Sequence, residues 1–129
     1  MEESFIQSIK ILIDKLNTEK NVHNKNNYEE EVKRADRLAS FVEILKSVLK
    51  ENDRNILFDY VNDLKSRIQQ YITNQGKSYE YEYADYQYIL ISILNLFPNQ
   101  NTTTITNTFI KDLSDKVIEK INTFNEQEG

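Results

Sequence analysis

The chain has 129 residues, no cysteine, two glycines, one proline and a formal net charge of −5. The missing cysteines exclude disulfides, thiolate nucleophiles, zinc ribbons and iron–sulfur clusters. The acidic balance disfavours a general nucleic-acid binder, whose affinity comes from neutralising phosphates. With 39% hydrophobic and 29% charged residues the composition is that of a globular chain, and so few glycines and prolines leave little turn chemistry for a β-rich fold.

The pattern predicts an all-α fold, a single compact bundle of about five helices forming one domain over 1–129. A first helix is expected over 3–16, where Phe5, Ile9, Leu12 and Leu16 recur at helical spacing and Ile6 and Ile13 widen the stripe. Residues 17–27, rich in Asn and Lys and without apolar period, are expected as a mobile loop.

A second helix over 28–50 carries Val32, Ala35, Leu38, Val42, Leu45 and Leu49 on one stripe, with Phe41, Ile44 and Val48 beside it. Glu29–Lys33, Glu30–Arg34 and Glu43–Lys46 are spaced for surface ion pairs, and Glu29 to Glu31 suit the positive end of the helix dipole. Asn52 or Asp53 is expected to cap a third helix over 53–73, which buries Leu57, Val61, Leu64, Ile68 and Tyr71 and ends near Gly76. The short connection predicts that helices two and three form an antiparallel hairpin.

The fourth element reads two ways. Tyr79-Glu80-Tyr81-Glu82-Tyr83 alternates like a half-buried strand, yet Tyr79, Tyr83, Tyr86, Leu90, Ile93 and Phe97 make a helical stripe. A lone strand would leave its backbone groups unpaired, so a helix over 79–96, stopped by Pro98, is preferred. Thr104 or Thr106 then caps a fifth helix over 104–124, striped by Ile105, Phe109, Leu113, Val117, Ile121 and Phe124, before a frayed tail at 125–129.

The acidic N-terminus and the lack of a long apolar run predict a cytoplasmic protein with no membrane partner. No catalytic triad, phosphate loop or dinucleotide fingerprint occurs, so no catalytic residue, metal or cofactor is assigned. His23 is the sole histidine and is read as an exposed loop residue.

The unusual feature is aromatic. Five of the eight tyrosines, Tyr79, Tyr81, Tyr83, Tyr86 and Tyr88, fall in ten residues with Glu80, Glu82 and Asp85, and no Lys or Arg occurs from Ser78 to Ile110. Tyrosine presents large area with few rotors to freeze and keeps a hydroxyl for hydrogen bonding, and carboxylates beside it complement a basic surface. The leading expectation is therefore a non-enzymatic protein–protein interaction module of inhibitor, immunity, anti-defence or assembly-subunit type. Its partner would be a protein with a basic surface, with self-association as a further expectation. One alternative is a nucleic-acid or nucleotide-binding subunit using Lys33, Arg34 and Arg37. Another is a magnesium-dependent all-α nucleotide hydrolase using Asp59, Asp63, Glu82 and Asp85, although the Glu-x-x-Glu element of such enzymes is missing.

Overall fold

The computed structural model describes residues 1–25, 28–74, 80–97 and 110–128, and the side chains of these except 71–74, 80, 81, 83, 110, 111, 127 and 128. The fold is all-α, with five helices and no strand among the described residues: α1 (Glu3–Asn24), α2 (Glu29–Glu51), α3 (Asn55–Asn74), α4 (Glu80–Leu94) and α5 (Ile110–Glu128). They fall into two compact units, 1–53 and 54–129. The hairpin expected of helices two and three spans the division between these units.

In the first unit α1 packs along α2. The Met1 amino group donates to Asn52 Oδ1 at 3.3 Å, and His23 at the far end of α1 meets Glu31 in the first turns of α2, so the two helices run antiparallel. The expected stripe on α1 is buried at Phe5, Ile9, Leu12, Ile13 and Leu16. On α2, Ala35, Leu38, Val42 and Leu45 are buried, and so are Phe41 and Val48 beside them. Val32, read as part of that stripe, is 40% exposed, because buried side chains on α2 begin only at Ala35.

Two boundaries in this unit differ from the sequence reading. The helix expected to end at Leu16 runs to Asn24, so residues 17–24 of the expected loop are helical. An apolar stripe marks only where a helix is covered, and an already nucleated helix propagates beyond its stripe at little cost. Asn52, read as a cap for the third helix, instead ends α2. It adopts the left-handed conformation (φ 53°, ψ 44°), and its N–H and that of Asp53 both donate to the Val48 carbonyl. Asparagine serves either end, since it caps N-termini and tolerates the left-handed region. At the start of α3 the first carbonyl to accept is that of Arg54, just before the helix, from the N–H groups of Leu57 and Phe58.

In the second unit α5 packs against both α3 and α4. Leu57, Val61, Leu64 and Ile68 of α3 and Leu113, Val117, Ile121 and Phe124 of α5 are buried, as their spacing predicts. Lys65 pairs with Asp115, and Arg54 Nε donates to Asn125 Oδ1 at 2.9 Å, which sets α3 antiparallel to α5. Phe97, just past α4, packs edge-to-face on Phe124 with ring centroids 5.3 Å apart. The start of α3 and the ends of α4 and α5 therefore meet at one end of the unit.

The tail expected to fray after Phe124 is helical to Glu128, because Asn125 accepts from Arg54 and donates to Asn55 Oδ1 at 3.2 Å. Gly76, Thr104, Thr106, Ile105 and Phe109 lie outside the described residues. No helix among the described residues is long and apolar enough to cross a membrane.

Candidate functional site

The tyrosine-rich segment is helical from Glu80, so the strand alternative falls. Its period is set by the residues that follow: Ile89, Leu90, Ile93 and Leu94 are buried, and Leu96 and Phe97 are buried in the turn before Pro98. A helix anchored by this stripe presents the opposite side to solvent. On that side Ala84 and Asn95 are exposed, while Gln87, Tyr88 and Ile91 are part-exposed. Glu82, also part-exposed, stands four residues before Tyr86 and seven before Ile89, in register with the buried stripe. Ser92 lies among them and donates its hydroxyl to the Tyr88 carbonyl at 2.8 Å.

The structure divides the expected partner-binding set. Tyr88 and Glu82 are accessible in part. Tyr86 and Asp85 are buried, at 4% exposure each, and cannot form part of a docking surface as placed. For Tyr86 the reason is its register, four residues before Leu90 on the buried stripe. Asp85 stands in the same relation to Ile89, four residues on, and lies at the margin of the buried stripe; its carboxylate is what argued for the surface. Tyr79 lies outside the described residues, as do the side chains of Glu80, Tyr81 and Tyr83. Sequence reasoning passed over Ala84, Gln87 and Ile91, which share the accessible side with Tyr88. Their only signal is the complement of the buried stripe.

Tyr60 of α3 stands near Tyr86. Its phenol is pushed well above the ordinary tyrosine range, first by burial and then by Tyr86, with Arg67 opposing. The neutral phenol is thus the form this packing favours.

Of the basic strip expected on α2, Lys33 and Arg34 are engaged by acids of the same helix, while Arg37 is part-exposed. Lys33 Nζ lies 3.1 Å from Glu29 and 3.9 Å from Glu30, and Arg34 lies 3.8 Å from Glu31. The hydrogen bond and charge of Glu29, then the charge of Glu30, raise the Lys33 pKa, while burial and Arg37 oppose. Positive potential for a phosphate is lowered accordingly. His23, expected on an exposed loop, instead sits in the last turn of α1, where its Nδ1–H donates to the Glu31 carboxylate. Asp59 and Asp63 are exposed on α3, and among the described residues no three His, Asp or Glu side chains gather to hold a metal ion.

Comparison of the chain with models of protein families, with curated proteins and with solved structures returns no match.

Proposed function

We propose that the chain is a non-enzymatic interaction module of inhibitor, immunity, anti-defence or assembly-subunit type, which engages a partner protein through the accessible side of α4. The observation that carries this reading is the pairing of a rigidly anchored helix with an uncharged, partly apolar outer side. Leu90, Ile93 and Phe97 fix the helix from within, while Ala84, Gln87, Tyr88 and Ile91 remain accessible. A part-exposed tyrosine beside a small residue and a β-branched one offers contact area at low ordering cost, the make-up of an interface anchor.

Glu80, Glu82 and Asp85 with no Lys or Arg from Ser78 to Ile110, together with the net charge of −5, favour a partner with a basic surface, whose encounter that negative potential would speed. A cytoplasmic setting fits the cysteine-free composition. The test is the affinity of an isolated partner for Tyr88→Ala and Tyr81→Ala, read against circular dichroism. Loss of affinity in a folded variant supports the reading, and unchanged affinity in both contradicts it.

A further inference from the structure

We infer that the far end of the α1–α2 pair, residues 17–24 of α1 and 28–34 of α2, opens and closes as a unit of its own, with His23 and Glu31 as its clasp. Among the described residues between Asn17 and Arg34 none is buried, whereas five α1 residues are buried between Phe5 and Leu16, and burial resumes at Ala35. The hydrophobic burial that holds the rest of the pair is therefore missing here.

Local propensity does not replace it. Asn17, Thr18, Asn21, Val22, His23 and Asn24 are all weak helix formers, disfavoured through competing side-chain hydrogen bonds or lost χ1 freedom. The tie between the two helices in this stretch that the geometry shows is polar and lies at its tip. His23 donates to Glu31 across the two helices, and Arg34 stands 3.8 Å from the other oxygen of the same carboxylate. The imidazole also sits at the C-terminal end of α1, where a donor or cation suits the helix dipole.

The segment carries apolar groups that the closed state leaves unused: Val22 is 55% exposed, Tyr28 74% and Val32 40%. Opening therefore exposes no core and breaks few contacts. It requires release of the clasp and melting of about two helical turns, with the local contacts those turns hold, such as Thr18 to the Asp14 carbonyl.

Amide hydrogen exchange on the full chain tests this. Protection over 17–24 is expected to be at least about a hundredfold lower than over 9–16. His23→Gln and Glu31→Gln should each lower it a further tenfold or so, the scale of a part-exposed charge-assisted hydrogen bond. Protection over 9–16 and 35–48 should stay within about twofold, since opening is local. Even protection along α1, no change in either variant, or a loss that spreads equally to 9–16 would each overturn the inference.

Discussion

The guanidinium of Arg54, at the start of α3, lies 4.4 Å over the ring of Phe124, near the end of α5. Its Nε donates to the neighbouring Asn125, and the other side of the contact is completed by Phe97 meeting Phe124 edge-to-face at 69°. A buried cation, 6% exposed, is thus held by an aromatic face and an amide. This cluster joins the ends of three helices and holds the turn that closes α4.

Truncation of Phe124 should be the most damaging single change in the second unit. Phe124→Ala removes the contact to Phe97 and the face beneath Arg54, and leaves a cavity. Large aromatic-to-alanine changes in cores cost about 3–5 kcal/mol. Chemical denaturation followed by circular dichroism should show a loss in that range, with Phe124→Leu milder.

The end of α2 should respond to backbone chemistry rather than to side-chain contacts. Asn52 holds a positive φ. Asn52→Gly should be neutral or stabilise by up to about 1 kcal/mol, because glycine enters this region freely. Asn52→Val should cost roughly 1–2 kcal/mol, the β-carbon strain of the left-handed conformation. Thermal melting of the two variants checks the order; a valine variant as stable as wild type would contradict it.

Alkaline pH should destabilise the chain partly through Tyr60. Its folded-state pKa is raised, chiefly by burial, so above the ordinary tyrosine value near pH 10 the unfolded chain releases a proton that the folded chain keeps. The folded state then binds more protons than the unfolded state, and stability falls as pH rises. The slope from one such group is at most roughly 1.4 kcal/mol per pH unit. Tyr60→Phe should flatten the decline above pH 10 and leave stability at pH 7 to 9 without this pH dependence. Equal slopes in both proteins would contradict the assignment.

The helices were legible where burial is periodic. Phe5 to Leu16, Leu57 to Ile68 and Leu113 to Phe124 announce their helices because each stripe is covered. The reading failed where helix continues without cover, at 17–24 and 125–128, since polar ties such as His23–Glu31 and Arg54–Asn125 span eight and 71 residues and leave no local period. Asn52 was ambiguous because one residue type serves both helix ends.

The same limit applies to the site. Clustering of tyrosines was visible, and helical spacing placed Tyr86 on the stripe with Leu90 and Ile93, which is where it is buried. Asp85 is in register with Ile89 and Ile93, at the margin of the stripe, but its residue type argued for the surface. Tyr88 remains as the tyrosine of the cluster whose side chain is described and accessible. The candidate surface thereby shrinks from an acidic tyrosine-rich helix to one side of α4 centred on Tyr88.

The affinity of a purified partner protein for Tyr88→Ala, measured by calorimetry beside the wild-type chain, tests the interaction reading most directly. Truncation of an interface anchor costs about 2 kcal/mol or more, so the dissociation constant should rise at least roughly thirtyfold with the helical content unchanged. A dissociation constant within twofold of wild type, in a variant that remains folded, would contradict the proposal that this side of α4 is the binding surface.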